Sequence, residues 1–278
     1  MSLRINDNSG SAFSAYHLQK TDRALSESLT RLSTGKRITK AADDAAGMSI
    51  ANTLKSQALG FGQAIQNAKD ATSIAQVADG ALGQATDIIQ DIRVKAVQAA
   101  SAAQSPESRQ AIQADISKNL ESLKNIVGNT SFNGQALLSG TFTGKTFQVG
   151  ASSGEVEEIS LGSIDPAMIS DESSGTLAGI DVTTPEGARA AIGISDAALE
   201  YIGGQQSRVG STQNQLESTI QNLSNSRIST LASASEIEDL DYAEESMEIN
   251  RIKLLSQARA FAQAKTGDVA KHMVDLFG

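Results

Sequence analysis

Apolar residues recur every seven positions near both ends of the chain, which is the spacing of amphipathic helices that pair in coiled coils. The first such stretch runs from Phe13 to about Leu32, and Gly35 is a plausible stop for its helix. The second follows Ser235, which stands at capping-box spacing from Glu238. The apolar rows are Leu18, Leu25, Leu29 and Leu32 in the first stretch, and Leu240, Met247, Leu254 and Phe261 in the second.

A much longer periodic segment runs from Met48 to about Ala100. Its two apolar rows lie on one face and predict a helix of about 80 Å at 1.5 Å per residue. Many of the row positions are alanine, which lets a partner helix approach closely. The larger side chains of this expected rod seam are Leu54, Phe61, Ile65, Leu82, Ile89 and Ile92.

Two further helix starts carry a proline at the first helical position, at Ser105–Pro106 and Thr184–Pro185. The first of these helices is expected to end near Gly128, and the second to reach about Leu231. Between them, residues 130–150 contain two turn dipeptides and several strand-forming residues, which predict a β-hairpin. Residues 151–184 are rich in serine, glycine and acids, and we expect an irregular, partly β surface segment.

The resulting fold class is mainly α, with long coiled-coil rods, a small β-hairpin insert and paired N- and C-terminal helices. The two terminal helices alone should be marginally stable, because tertiary packing supplies most helical stability. We therefore expect the termini to be loose in the monomer and to become ordered on assembly.

Composition narrows the possible functions. The formal net charge is −9 without basic clusters, which makes nucleic acid an unsuitable partner. The chain contains no cysteine and two histidines, so we expect no disulfide, no cofactor and no metal centre built from these residues. We also expect no membrane span, because no apolar run is long enough, and no cleaved secretory signal, because the first residues lack an apolar core.

Three stretches could carry chemistry, and each has a simpler structural interpretation. Gly35–Lys36 lacks the remaining residues of a phosphate-binding loop and suits a helix stop. The adjacent acids Asp43 and Asp44, shortly before Gly47, suit a helix start, where the helix dipole favours negative charge. An acidic cluster could be a cation site, but first-turn acids of a helix explain most of it: Glu236, Glu238, Asp239, Asp241, Glu244 and Glu245. Nothing in the sequence favours an enzyme.

Several motifs in a fixed order resemble those of bacterial flagellins. Near the N-terminus these are LTRLSTGKRITKAADDAAGMSIANTLKSQ and QAIQNAKDATSIAQVADGALGQATDIIQDIR, followed by NTSFNGQALLSG. Near the C-terminus they are SRISTLASASEIEDLDYAEES and the final DLFG. The resemblance covers roughly residues 1–150 and 185–278, and it points to a minimal flagellin without large outer variable domains.

The resemblance implies a division of labour along the chain. Residues 1–34 and 236–278 would be inner-tube helices whose apolar rows form subunit interfaces. Residues 35–46 would be a spoke, with Asp43, Asp44 and Gly47 in the motif that ends it. Residues 47–150 and 185–235 would form the rod domain, and residues 151–184 would stand in place of the outer domains.

The resemblance also implies partners and a location. The subunit would form a helical homopolymer in the extracellular filament, the propeller for swimming motility. It would be exported by the flagellar type III machine with an export chaperone, and it would meet filament cap and hook-junction proteins. A hook–filament junction protein of the same helical plan remains an alternative, as does a secreted helical effector or adhesin.

One departure from the family pattern concerns recognition by the flagellin-binding Toll-like receptor. Flagellins that this receptor detects carry a Q-R-x-R-E-L stretch in the long N-terminal rod. The matching stretch here differs at three positions, with one charge reversed and one charge placed at an apolar site. We expect weak or no recognition through this stretch, Gln90, Asp91, Ile92, Arg93, Val94 and Lys95.

Overall fold

The structure is a computed structural model that describes residues 9–171 and 175–277, with side chains described for residues 12–170 and 175–265. Within these ranges the chain forms five α-helices and six short strands. The helices are α1 (Ser9–Thr34), α2 (Ala45–Ala99), α3 (Pro106–Asn129), α4 (Pro185–Glu238) and α5 (Tyr242–Phe277). The strands are β1 (Ser131–Phe132), β2 (Gln135–Ala136), β3 (Lys145–Gln148), β4 (Val156–Ile159), β5 (Ser170–Asp171) and β6 (Gly175–Thr176). The predicted fold class, mainly α with a small β insert, is confirmed.

The helix ends follow local side-chain chemistry. Gly35 follows α1 with a φ of 70°, a left-handed conformation that glycine adopts without strain. The Oγ of Ser105 accepts a hydrogen bond from the backbone N–H of Ser108 at 3.2 Å, which caps α3 ahead of Pro106. Thr184 caps α4 in the same way, accepting from the N–H of Gly187 at 3.1 Å. Both predicted proline starts are therefore confirmed.

The predicted start of the last helix is wrong. Ser235 and Glu238 do not form a capping box, because both belong to the final turn of α4. Asp241 caps α5 instead, and its Oδ1 accepts from the N–H groups of Ala243 at 2.8 Å and Glu244 at 3.2 Å. Leu240 consequently lies in the link between α4 and α5 rather than in the last helix.

The β region is more divided than the single hairpin predicted for residues 130–150. Asn133–Gly134 is the turn between β1 and β2, and both residues have positive φ as a tight hairpin turn requires. Thr143–Gly144 is not a hairpin turn, because β3 pairs with β4, which lies beyond residue 150. β5 pairs with β6 to give a third two-stranded antiparallel sheet.

Residues 151–184 differ from the surface segment that their composition predicts. Seven of their apolar side chains are buried in the same core as α2, α3 and α4. Ser-, Gly- and acid-rich composition describes the exposed positions of this segment, whereas the sparse apolar residues between them are buried. The buried residues are Ile159, Leu161, Ile164, Ile169, Leu177, Ile180 and Val182.

The chain divides into two compact units. The first, which we call the terminal unit, comprises residues 1–56 and 229–278, and the second comprises residues 57–228. The second unit holds the large apolar core, in which alanines of α2 lie against α3, α4 and the strand region. Three predicted seam residues of α2, Leu82, Ile89 and Ile92, are fully buried in this core. Phe61 and Ile65 in this unit, and Leu54 in the terminal unit, are half-buried.

Candidate functional site

The terminal unit pairs α1 with α5 in antiparallel orientation. At one end, Arg31 of α1 contacts Glu245 of α5. At the other end, the guanidinium of Arg259 donates to the backbone carbonyl of His17 at 3.1 Å and to the hydroxyl of Thr21. The contacts therefore run in opposite directions along the two helices, which we call the terminal pair.

Small and polar side chains fill much of the seam of the terminal pair. Thr21 and Ser28 of α1, seven residues apart, are 4% and 0% exposed. Ile249 and Ile252 of α5 are buried, and so is Glu245, which lies in the first turn of the same helix. Part of the seam is therefore formed by polar side chains that lie outside the apolar rows identified in the sequence.

The apolar rows are largely left outside this seam. Leu18, Leu25 and Leu32 are half-buried, and Leu29 is 44% exposed. Met247, Leu254 and Phe261 of α5 are 67%, 68% and 67% exposed. Apolar surface of this extent, repeated along one helix, is typical of a protein–protein interaction site. The assignment of these residues to subunit interfaces stays a prediction.

The loop between α1 and α2 is organised by its two adjacent acids. One carboxylate oxygen of Asp43 accepts from the N–H of Thr39 and the N–H of Lys40, both at 3.0 Å, and from the Thr39 hydroxyl at 2.8 Å. These hydrogen bonds, led by the Thr39 hydroxyl, lower the pKa of Asp43. Asp44 accepts from the N–H of Gly47 at 2.8 Å and so caps α2. Both acids therefore have structural partners.

Gly47 is buried because Ile38 and Asp44 lie directly over it. A Cβ at position 47 would stand 2.9 Å from the Cδ1 of Ile38 and closer still to the carboxylate of Asp44. Ile38 itself is 4% exposed. The glycine of the D-D-A-A-G motif thus allows the loop to fold back onto the first turn of α2.

A charged joint fixes this loop to the end of α4. The carboxylate of Glu238 accepts from the ammonium of Lys36 at 2.7 Å through Oε1, and from the ammonium of Lys55 through Oε2. Backbone hydrogen bonds reinforce the contact, from Arg37 N–H to the Glu238 carbonyl at 2.7 Å and from Leu240 N–H to the Gly35 carbonyl at 3.0 Å. The hydrogen bonds from Lys36 and then Lys55 lower the pKa of Glu238.

The sequence did not single out the residues of this joint or of the polar seam as a set. In the sequence, Glu238 belongs to the acidic cluster and to the expected capping box with Ser235, and Lys36 belongs to an incomplete phosphate-binding pattern. A pairing between charges about 200 positions apart leaves no local periodicity in the sequence. The seven-residue spacing between Thr21 and Ser28 is the sequence feature that could have indicated the seam.

The stretch matched to receptor recognition lies on α2 in the second unit. Arg93 pairs with Asp196 of α4 at 2.5 Å, and Lys95 pairs with Asp115 of α3 at 3.0 Å. Gln90 and Asp91 are exposed, and Val94 is 63% exposed. Both cations of the stretch are therefore tied to neighbouring helices of the same chain.

Two other kinds of site are absent from the part of the chain that the structure describes. There is no group of three or more His, Cys, Asp or Glu side chains placed to hold a metal ion. Among the helices in the described ranges, none combines the length and the apolar character needed to cross a membrane.

Known proteins resemble this chain in both sequence and fold. Residues 5–143 match the bacterial flagellin N-terminal helical region, and residues 192–277 match the bacterial flagellin C-terminal helical region. Flagellin B of Helicobacter pylori is 50% identical over 163 residues, which cover 59% of this chain and 32% of that protein. Flagellin E of Vibrio cholerae is 28% identical over 366 residues, covering 95% of this chain and 97% of that protein.

The chain therefore spans about a third of the length of the Helicobacter relative that it matches. Among solved structures, a putative flagellar hook-associated protein from Vibrio parahaemolyticus aligns with a TM-score of 0.62 and 13% identity. That alignment covers 71% of this chain and 100% of the other, and it shows a shared fold. The two family regions together cover most of the chain, and the first of them includes β1 and β2 as well as α2 and α3, so the chain belongs to the bacterial flagellin family.

Proposed function

We propose that this chain is a structural subunit that polymerises into the bacterial flagellar filament, the extracellular helical propeller for swimming. Its role is then mechanical and not enzymatic. Copies would associate through heterologous contacts that do not close into a ring, which generates an open helical filament. Membership of the flagellin family supports this role.

The observation that carries the proposal is the exposure of large apolar side chains on α5 of the terminal pair. The buried seam between α1 and α5 includes polar Thr21 and Ser28 beside the isoleucines of α5, whereas Leu254 and Phe261 are about two-thirds exposed. Burying an exposed leucine or phenylalanine contributes about 1.5–3 kcal/mol. Covering these side chains with neighbouring copies would therefore supply a driving force for assembly that the isolated chain lacks.

We propose the division of the chain that its resemblance to flagellins implies. Residues 1–34 and 236–278 would line the inner tube, and residues 35–46 would form the spoke beside the Glu238 joint. Residues 47–150 and 185–235 would build the rod domain of the subunit. Residues 151–184 would stand where other flagellins carry outer domains, and their buried side chains would anchor them to the rod.

Export and assembly partners complete the proposal. The chain would leave the cell unfolded through the flagellar type III machine, accompanied by a flagellin chaperone. It would then add beneath a filament cap onto a filament that begins at the hook-junction proteins. A terminal pair with a polar seam is suited to this route, because it can open at low cost and close again on assembly.

Seeded polymerisation tests the proposed function. Purified protein is mixed with fragments of its own ammonium sulfate-induced filaments, and elongation is followed by electron microscopy. Wild-type protein should form long filaments. Leu254→Lys should abolish elongation, because it places a charge in the apolar row, whereas Gln257→Lys adds the same charge at an exposed polar position of α5 and should elongate normally. Absence of filaments from wild-type protein would refute the proposal.

We also propose that this chain stimulates the flagellin-binding Toll-like receptor weakly or not at all. The support is the altered stretch Gln90–Lys95, in which Arg93 is held by Asp196 and Lys95 by Asp115. A reporter-cell assay with monomeric protein tests this, with a strongly detected flagellin as the positive control. Full-strength activation would contradict the proposal.

A further inference from the structure

The sulfur atoms of this chain all belong to methionine thioethers, since the sequence contains five methionines and no cysteine. The structure describes the side chains of three of them, and their exposure differs. Met48 on α2 is half-buried, whereas Met168 in the turn before β5 is 71% exposed and Met247 on α5 is 67% exposed. Because an exposed thioether is open to oxidants, Met168 and Met247 are the candidate oxidation sites among the three.

Met247 differs from Met168 in its surroundings. It belongs to the exposed apolar row of α5, with Leu254 and Phe261. It also lines a cavity of about 750 Å³ in the terminal unit, together with the apolar side chains of Ile38 and Leu240. The remaining residues of this lining are charged, with seven carboxylates and three guanidiniums. Met247 is therefore apolar surface bordered chiefly by acids.

The side-chain donors of this cavity are already engaged. Ionised carboxylates only accept hydrogen bonds, so the side chains of the lining that donate are its guanidiniums. Each guanidinium donates to an acceptor within the chain, as Arg251 does to Glu248 at 2.7 Å. A new acceptor placed at Met247 would therefore lie beside other acceptors rather than beside free donors.

Oxidation would place such an acceptor at Met247. A sulfur lone pair attacks one oxygen of hydrogen peroxide, so that a sulfur–oxygen bond forms and the O–O bond breaks. The departing hydroxide takes up the proton of the attacked hydroxyl group and leaves as water. The thioether is thereby oxidised to a sulfoxide, and the peroxide is reduced to water. The sulfoxide is polar, and sulfoxide reductases can return it to the thioether.

We propose that Met247 is an oxidation site whose sulfoxide excludes the subunit from the filament. A neighbouring copy that covers the apolar row of α5 would strip water from the sulfoxide oxygen beside carboxylates that cannot donate to it, which disfavours the contact. Met168 lies outside this row, so its oxidation should not affect assembly. The inference rests on the proposed function, since it concerns the association of copies.

The two exposed methionines allow a comparison within one protein. Wild-type monomer is partially oxidised with hydrogen peroxide, the peroxide is removed with catalase, and the protein is added to filament seeds. Peptide mapping by mass spectrometry then gives the sulfoxide fraction at each methionine in the filaments and in the starting pool. We expect the Met247 sulfoxide to be depleted about fivefold or more in the filaments, because a buried acceptor without a donor is costly. The Met168 sulfoxide should be equally abundant in both.

Substitution gives a second measurement, in which each protein is compared with its own untreated sample. After peroxide treatment, wild-type protein and Met168→Leu should both elongate more slowly. Met247→Leu should keep most of its own untreated rate, because leucine has no sulfur to oxidise. Methionine sulfoxide reductase should restore the wild-type rate. Circular dichroism should show unchanged helix content in the oxidised monomer, which assigns the loss of rate to association.

Several results would overturn this inference while leaving the proposed function intact. They are a Met247 thioether that resists peroxide, equal Met247 sulfoxide in the filaments and in the starting pool, and a Met247→Leu protein as sensitive to peroxide as wild type. A loss of helix content on oxidation would also overturn it, because the effect would then lie in folding. Absence of filaments from untreated wild-type protein would instead show that the proposed function is wrong.

Discussion

Arg31 of α1 and Glu245 of α5 form a two-nitrogen contact to one carboxylate oxygen, with Nε at 3.1 Å and Nη2 at 2.8 Å from Oε1. The same Nη2 donates to the hydroxyl of Ser28 at 2.9 Å, so one guanidinium joins the seam of α1 to the buried carboxylate of α5. The contact raises the pKa of Arg31, chiefly through its hydrogen bond to Glu245. The seam of the terminal pair is therefore specified by charge and polarity.

Removing this guanidinium should loosen the terminal pair. Arg31→Met leaves the buried side chain of Glu245, which is 11% exposed, without its charged partner. An unpaired buried polar group costs about 1–3 kcal/mol, and we expect the opening free energy of α1 to fall by that amount. Amide hydrogen exchange of the monomer measures it. Arg31→Lys keeps a charge without the planar fork and should show a smaller loss; equal exchange in all three proteins would contradict the prediction.

Assembly should protect both terminal helices. In the monomer, a polar seam and exposed apolar rows leave α1 and α5 near the low end of local stability. We expect their amides to exchange markedly more slowly in filaments than in monomers, while amides of the buried part of α2 change little. Equal protection of the terminal helices in the two states would exclude the idea that neighbouring copies cover the apolar rows.

The Glu238 joint should make stability depend on pH. Its folded-state pKa lies below the unfolded value, so its contribution is present above the unfolded pKa and is lost as pH falls through the folded pKa. Two partly exposed lysine pairs contribute about 1 kcal/mol together. Glu238→Gln should therefore be about 1 kcal/mol less stable near neutral pH. The difference should vanish in acid, as urea titrations at both pH values would show; a constant difference would argue against ion pairing.

Two glycines of α2 should respond to alanine in opposite directions. A Cβ at Gly47 would displace Ile38 and the capping Asp44, and we expect a loss of about 1–3 kcal/mol from overpacking. Gly80 has no atom within 4 Å of such a Cβ, so Gly80→Ala should stabilise the helix by about 0.5–1 kcal/mol. Thermal melting of both variants measures the two shifts. A melting temperature unchanged by Gly47→Ala would contradict the packing seen here.

The strand region should prove integral to the core. Ile164 is fully buried, and Ile164→Ala should cost about 2–5 kcal/mol by leaving a cavity. Met168 lies four residues away and is 71% exposed, so Met168→Ala should change stability by no more than about 0.5 kcal/mol. Denaturant unfolding distinguishes the two. Similar small effects at both positions would mean that residues 151–184 do not contribute to the core.

The sequence by itself determined the helices and most of their ends. A heptad period is present in the residues whatever they pack against, and it identified α1, the long α2 and α5. Proline and capping side chains at Ser105 and Thr184, and the glycine at position 35, act within one turn of their own position. Local rules of this kind can be read directly from neighbouring residues, because the physical interactions that they describe are themselves local.

Only the tertiary structure decided what covers each side chain. The heptad period placed Leu254 in an apolar row of the last helix. It did not show that Thr21 and Ser28 would lie in the seam while Leu254 stays exposed. The start of α5, the partner of β3 and the burial of Ile164 depend on contacts between residues far apart in the chain. Such contacts are selected by packing and charge in three dimensions, so a one-dimensional pattern of polar and apolar positions leaves them undetermined.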